Sequence, residues 1–365
     1  MKLTKPELLI DEEKCRANIW AMASRCAEKK VAFRPHFKTH QSLHIGRWFK
    51  EAGVYRIAVS SLSMADYFSS EWQDILVAFP ANILEIEVIN NLASRLQLSL
   101  LVENLDAVVF LSEKVRHPVK IFIEIDAGYH RTGVKYDDYP LIDAILAKIN
   151  SDSPLVFAGF VCHNGNTYGC KGRDEVNHHH LISKNRLTEL KRHYLFEYPD
   201  LIVSCGDTPS ASLAEDFSGI DELRPGNFVC YDVTQVFIGS CDFNQISVVL
   251  ACPVVAIHQE RRELIVYGGA IHLSKDVLNR EEHQEIYGLP AEKLPYGWGA
   301  PMKNAYVSSL SQEHGKIKLE LDDLKKYKVG DVLYIYPVHS CLTISSMRNF
   351  LDLKGNRIEV YPGII

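Results

Sequence analysis

The sequence predicts an α/β protein: a closed parallel (β/α)8 barrel of the TIM type, followed by a smaller, mostly antiparallel β domain. Three observations carry this. From about residue 10 to about residue 225, eight short β-branched runs alternate with stretches of helical spacing, and parallel neighbours need such crossover connections. After about residue 240, strand-like runs and turns follow one another with few helical stretches between them. No Gly-x-Gly-x-x-Gly motif supports the open, doubly wound alternative.

The barrel strands are expected at 31–34, 56–59, 75–78, 98–102, 119–124, 156–162, 201–204 and 222–224. The intervening segments 11–29, 82–95, 105–115 and 139–149 repeat their apolar residues at helical intervals. In the second domain, strands are expected at 247–257, 263–267, 306–310, 317–321, 332–336 and 357–361, with turns at His314-Gly315 and Lys354-Gly355-Asn356. The zone 281–303 is rich in breakers (Gly288, Pro290, Pro295, Gly297, Gly299, Pro301) and reads as a long ordered loop. The expected division is a barrel over 1–243 and a β domain over 244–365, with the first few residues free to join the β domain.

Composition narrows the function classes. The 365 residues are 47% hydrophobic and 24% charged, an ordinary globular mix that excludes disorder as the main state. A net charge of -6 argues against nucleic acid as the main partner. No apolar run reaches the roughly 18 residues needed to span a bilayer. The start, MKLTKPELLIDEEK, lacks the apolar core of a signal peptide. Nine scattered cysteines without a Cys-x-x-Cys read as reduced, mostly buried thiols. A cytoplasmic protein with neither membrane nor nucleic acid as partner is expected.

Barrel enzymes carry their chemistry where the strands end. After the first strand stands Pro35-His36-Phe37-Lys38-Thr39-His40; after the fifth, Asp126-Ala127-Gly128-Tyr129-His130-Arg131-Thr132-Gly133; after the sixth, His163-Asn164-Gly165-Asn166-Thr167-Tyr168-Gly169. The seventh ends in Cys205-Gly206-Asp207-Thr208-Pro209-Ser210 and the last in Arg224-Pro225-Gly226-Asn227. Lys38 is placed to form a Schiff base with an aldehyde, although by position alone a solvated surface lysine is the commoner reading. The Gly206–Ser210 and Gly226–Asn227 segments offer backbone N–H groups and hydroxyls to a phosphate; each alone reads as an ordinary turn. His178-His179-His180 reads as a polar helix face.

In the second domain His339-Ser340-Cys341 follows a strand. If the chain stays extended, His339 and Cys341 share a face. Imidazole and thiolate suit Zn²⁺, and two ligands leave positions open for water and substrate. The plain alternative is a half-buried histidine beside a buried cysteine.

These segments together resemble the D-threonine aldolase and D-serine dehydratase family, pyridoxal 5'-phosphate (PLP) enzymes of fold type III with an alanine racemase-type N-terminal domain. The resemblance runs from Pro6-Glu7-Leu8-Leu9-Ile10-Asp11 to the His339 motif and includes Ser311-Gln312-Glu313-His314-Gly315. It implies that Lys38 is the Schiff-base lysine, that Arg131 lies near the cofactor ring, and that Tyr168 lies near the pyridine nitrogen. It further implies that Gly206, Thr208, Gly226 and Asn227 bind the phosphate and that His339 and Cys341 bind the metal.

The implied function is a PLP- and divalent-metal-dependent lyase acting on small D-β-hydroxy-amino acids. In the dehydratase route Lys38 removes the α-proton and the metal helps hydroxide leave. In the aldolase route a base, His163 or His130, takes the hydroxyl proton and the Cα–Cβ bond breaks. Cys341 leans towards the dehydratase arrangement and towards Zn²⁺ over Mn²⁺ or Mg²⁺, whereas Val59-Ser60-Ser61 and Val77-Ala78-Phe79-Pro80 look more like aldolase sequences. An amino-acid racemase and a non-catalytic PLP-binding protein stay as alternatives. By resemblance to the racemases a homodimer is expected.

Overall fold

The computed structural model describes residues 3–150, 153–279 and 285–363. The chain divides into two compact units, Trp20–Gly226 with Tyr361–Ile365, and Met1–Ile19 with Asn227–Val360. By its contacts the chain after the last barrel strand divides at 226/227. The physical reason lies in where the polar groups after Asn227 are satisfied. The Asn18 amide donates to the carbonyls of Val229 (3.3 Å) and Gln245 (2.8 Å). The Thr234 hydroxyl donates to the Val338 carbonyl at 2.8 Å, and the Asp11 amide to that of Ser247 at 2.8 Å.

Among the described residues, eight parallel strands make the ring of the first unit: β1 (Ala32–Phe33), β2 (Arg56–Val59), β3 (Asp74–Pro80), β4 (Gln97–Val102), β5 (Val119–Asp126), β6 (Leu155–His163), β7 (Ile202–Gly206) and β8 (Glu222–Leu223); a short ninth, Val134–Lys135, pairs with β5 outside it. From β2 to β8 each pairs with the next in sequence, and β8 pairs with β1. The remaining seam is joined by a parallel bridge between His36 and Ala58. The eight expected strands are therefore present and the ring is nearly closed, as barrel geometry requires.

Ala58, Leu76, Leu101, Phe122 and Val161, contributed by five different strands, form one buried cluster. Nearby, the buried Arg34 guanidinium donates to Glu222 (2.9 Å) and Asp74 (2.7 Å), and the Ser204 hydroxyl also donates to Glu222 (2.7 Å). Buried charges persist only when paired in this way. The helices Leu105–Lys114 and Tyr139–Ile149 lie within a residue of their expected bounds and turn their apolar faces inward. Residues 82–95 split into a single 3₁₀ turn and the helix Ile86–Ala93. On the helix Arg173–Tyr194 the His178–His180 run is not wholly polar: His180 is buried and donates to the Asp216 carbonyl at 2.8 Å.

The second unit is built on a mostly antiparallel sheet. Its order is Trp298–Pro301, Gly288–Lys293, Val332–Pro337, Val248–His258, Glu7–Ile10, Asn349–Asp352 and Arg357–Glu359. The strands Glu263–Tyr267, His314–Lys318 and Tyr306–Leu310 extend it from Val248–His258. Glu7–Ile10 is a buried strand inside this sheet.

Two local expectations are corrected. The zone 281–303 is not a long loop. Its described part forms three strands, Glu285–Ile286, Gly288–Lys293 and Trp298–Pro301, with residues 281–284 outside the described residues. Gly288 is there because a Cβ would lie 2.7 Å from an Ile335 methyl, and Pro301 sits on the sheet-edge strand, where a missing N–H is tolerated. The hairpin after Leu310 turns at 311–313, so its second strand is His314–Lys318 and not 317–321. Gly315 is required at that position, since a Cβ would lie 2.6 Å from the Gly268 carbonyl.

The barrel has a point where no side chain fits. Gly159 in β6 has φ +138°, and a Cβ on it would stand 1.9 Å from the Ile202 carbonyl oxygen of β7. A Gly159→Ala variant is expected to lose more than about 3 kcal/mol, at the far end of what single substitutions cost. Urea or thermal unfolding would check this, and a loss under about 1 kcal/mol would show that β6 and β7 can part there.

Candidate active site

Lys38 follows β1 in a turn whose other members are buried. Phe37 and Thr39 are fully inaccessible, whereas Lys38 is exposed. Phe37 meets the rings of His40 (4.3 Å), Phe49 (5.0 Å), Trp72 (5.0 Å) and Phe68 (5.1 Å). The backbone is thereby pinned while the ammonium stays free to reach outward. The Lys38 amide donates to Nδ1 of the buried His36 at 3.3 Å.

The Lys38 ammonium lies close enough to His36 and His163 to disfavour their protonation. Burial holds His36 well below the ordinary imidazole value, and the charges of Lys38, Arg224 and Arg131 add to this. Burial, Arg131 and Lys38 push His163 down to about 3. The Nδ1–H of His163 donates to the Gly206 carbonyl at 2.5 Å, so its Nε2 carries a lone pair at neutral pH. Lys38, His36, Arg131, His163 and Arg224 thus gather in one electropositive, barrel-end environment.

His130 is placed differently. Its ring N–H donates to Asp126 at 2.7 Å and is 78% exposed. The same Asp126 accepts from the amides of Gly128, Tyr129 and His130 at 2.8–3.0 Å. Burial raises the Asp126 pKa, but these donors outweigh it and keep the carboxylate ionised. His130, at φ +61°, is a clasp for the loop that carries Arg131.

Several of the expected phosphate positions meet on β7 and the short helix Thr208–Leu213. Asp207 caps this helix, accepting from the Ser210 amide (2.6 Å) and the Thr167 hydroxyl (2.8 Å). The Tyr168 hydroxyl accepts from the Thr208 amide at 3.3 Å, which puts Tyr168 beside this cradle. A Cβ on Gly206 would be 3.0 Å from Arg224, and one on Gly226 would be 2.8 Å from the His36 carbonyl; glycine is needed at both for close backbone approach. The hydroxyls of Thr208 and Ser210 are buried without a protein partner. Orphaned donors at that density are costly unless a ligand completes them, and together with the nearby amides they fit a phosphate group.

In the second unit His339 and Cys341 do not lie on an extended chain. His339 precedes the helix Ser340–Met347, in which Cys341 is the second residue. The helical turn, not strand alternation, brings the thiol to hydrogen-bonding contact with the imidazole. The His339 Nδ1–H donates to Asp276. Partial burial acts against the charged ring, but Asp276 and Cys341 lift its pKa to about 11. The Asn227 amide donates to Asp232 (2.6 Å), to Ser340 Oγ (3.2 Å) and to the Cys341 sulfur (3.7 Å). The Asn227 side chain, expected at the phosphate, is therefore committed to the His339–Cys341 segment. With Nδ1 engaged by Asp276, Nε2 is the nitrogen open to a metal once its proton is displaced, and with the Cys341 sulfur this donor set fits Zn²⁺. Among the described residues no cluster of three or more His, Cys, Asp or Glu forms a ligand cage. The remaining eight cysteines are buried.

The two units match known families. Residues 10–232 match the model described as "Alanine racemase, N-terminal domain", and residues 247–351 match "Putative serine dehydratase domain". The chain is 30% identical to D-serine dehydratase of Dictyostelium discoideum, over 95% of this chain and 93% of that one. The chain belongs to the D-serine dehydratase family, with an alanine racemase-type N-terminal domain. Within the family's solved structures, D-threo-3-hydroxyaspartate dehydratase from Delftia sp. HT23 superposes with a TM-score of 0.91 at 26% identity, covering 98% of this chain and 97% of that one. Variants of that enzyme with a histidine, or a cysteine two positions further on, changed to alanine share the fold; the cysteine variant is in a metal-free form. D-threonine aldolase from Filomicrobium marinum shares the fold at a TM-score of 0.81 and 20% identity, covering 99% of this chain and 97% of that one.

Motif reading passed over His36, Arg224, Asp232 and Asp276 as participants. His36 and Arg224 stand in the quoted strand-end segments and could have been found there. Asp276 lies 63 residues from His339 with no spacing to link them. The lysine turn also carries a consequence for stability. His40, fully buried against Phe37 and Phe49, is pushed down to about 3 by burial. In the unfolded chain it titrates near 6.5, so below that pH the unfolded state holds a proton that the folded state rejects. Stability is expected to fall by about 1.6 kcal/mol on going from pH 6.5 to pH 5 through this residue. Urea unfolding of wild type and His40→Phe across that range would show it as a shallower pH slope in the variant.

Proposed function

We propose that the chain is a PLP- and metal-dependent dehydratase of small D-β-hydroxy-amino acids, converting D-serine to pyruvate and ammonia. The observation that carries the choice of dehydration is that residues 247–351, which hold His339 and Cys341, match a serine dehydratase domain. Bound to these residues, PLP supplies an electron sink for charge at Cα and a divalent ion supplies Lewis acidity to the departing hydroxyl.

The chain's own residues take the following roles. Lys38 Nζ holds the cofactor and then receives the α-proton. Arg131 places a positive charge beside the cofactor ring. Thr208 and Ser210 direct hydroxyls, and Gly206 and Gly226 give backbone room, to the phosphate. Tyr168 supports that cradle through the Thr208 amide, and the Asn227 backbone continues it after Gly226. His163, neutral at physiological pH, is the candidate to hold or pass a proton near the substrate. His339 and Cys341 bind the metal, and an imidazole–thiolate pair favours Zn²⁺ over Mn²⁺ or Mg²⁺. We also propose a homodimer, on the likeness to racemases, and a cytoplasmic location, on the scattered cysteines. Among the described residues no helix is long and apolar enough to cross a membrane.

The test is incubation of the PLP- and Zn²⁺-loaded protein with D-serine and D-threonine in turn. A 2-oxo acid and ammonia are expected from the D-isomers and not from L-serine; glycine plus acetaldehyde from D-threonine would make the protein an aldolase and overturn this reading. Lys38→Ala should lose the visible absorption band of the bound cofactor and at least 10³-fold of activity, on the order of what removing one acid–base group costs. A band that survives would remove Lys38 from its role.

A further inference from the structure

We propose that Asp276 is a positioning residue for the metal: it holds the His339 ring so that Nε2, and not Nδ1, is the ligand atom. The inference rests on the reading of His339 and Cys341 as metal ligands. A carboxylate can only accept, so the hydrogen bond between His339 and Asp276 puts the ring proton on Nδ1 of the neutral imidazole. The lone pair then lies on Nε2, the tautomer a metal needs.

The surrounding backbone holds this pair in register. Asp276 follows the short helix Ala270–Leu273, and the Thr343 hydroxyl, one turn past His339, donates to the Leu273 carbonyl at 3.2 Å. The Asp276 amide in turn donates to the Ser274 hydroxyl at 3.2 Å. Both members of the pair keep substantial exposure, 38% for His339 and 45% for Asp276, so neither is there to fill the core. Asp276, His339 and Cys341 do not converge as a three-ligand cluster. Asp276 therefore acts on the metal through the histidine. Such a partner fixes ring orientation and raises imidazole basicity. Cys341 has its own outer partner in the Asn227 amide, so each ligand is oriented by a different residue.

Asp276→Ala and Asp276→Asn would be compared with wild type by competition for Zn²⁺ against a chromogenic chelator, and by the absorption spectrum of the Co²⁺-loaded protein. Asp276→Ala should weaken metal binding by roughly ten- to a hundredfold. Asp276→Asn, whose carbonyl still accepts from Nδ1, should lose less. The sulfur-to-cobalt charge-transfer band should persist in both, with the metal-free melting temperature unchanged. Affinity within twofold of wild type in Asp276→Ala would overturn the proposal. So would a Co²⁺ spectrum showing one protein ligand fewer, since Asp276 would then be a ligand itself. A wild-type protein that takes up no metal, or whose uptake is indifferent to Cys341→Ala, would overturn the underlying metal reading as well.

Discussion

The ring of parallel strands is closed by very little backbone, and the seam falls beside Lys38. Phe37 and Ala58 exchange their hydrogen bonds through Pro35 (2.8 and 2.9 Å), while on the other side the amides of Arg34 and His36 donate to Leu223 and Pro225 (both 2.9 Å). Buried amides and carbonyls must be paired, so Pro35–Phe37 has one conformation open to it. That conformation leaves no room for a side chain at Gly226 and drives Phe37 into an aromatic nest. Lys38 is the first residue after the seam whose side chain is free. Its placement is a by-product of closing the barrel.

Charge management is the second theme. Cationic groups accumulate at the barrel end, and the histidines among them are kept neutral by burial and by Lys38, Arg131 and Arg224. Histidine 339, in the other unit, is pushed in the opposite direction by carboxylate and thiol neighbours. The same side chain is thus a neutral acceptor in one place and a proton-holding group in the other.

Much of this was legible in the sequence, for identifiable reasons. The barrel strands are buried on both faces and so appear as short apolar runs, and their number and order followed directly. Site residues at strand ends could be enumerated once the strands were placed. What failed shares one cause: tertiary contact overriding local signal. Gly288 and Pro301 look like loop residues but occupy strands, because a crowded neighbour demands the glycine and a sheet edge accepts the proline. His339 and Cys341 were paired by strand alternation, yet a helical turn joins them. Asp276 has no motif at all, and only the fold brings it to His339. Asn18 and Thr234 find their partners far along the chain, which no local signal shows.

The seam also sets an order of events during synthesis. Arg34 and its partner Glu222 are 188 residues apart, and β1 cannot take its place until β8 has been made. The segment carrying Lys38 therefore leaves the ribosome among the first parts of the barrel and is among the last to be fixed. Contacts of such long range are slow to form and leave apolar edges waiting. Phe37 and its partners His40, Phe49, Phe68 and Trp72 are near in sequence, so what waits is the open edge of β1 and the Arg34 charge, until Glu222 arrives.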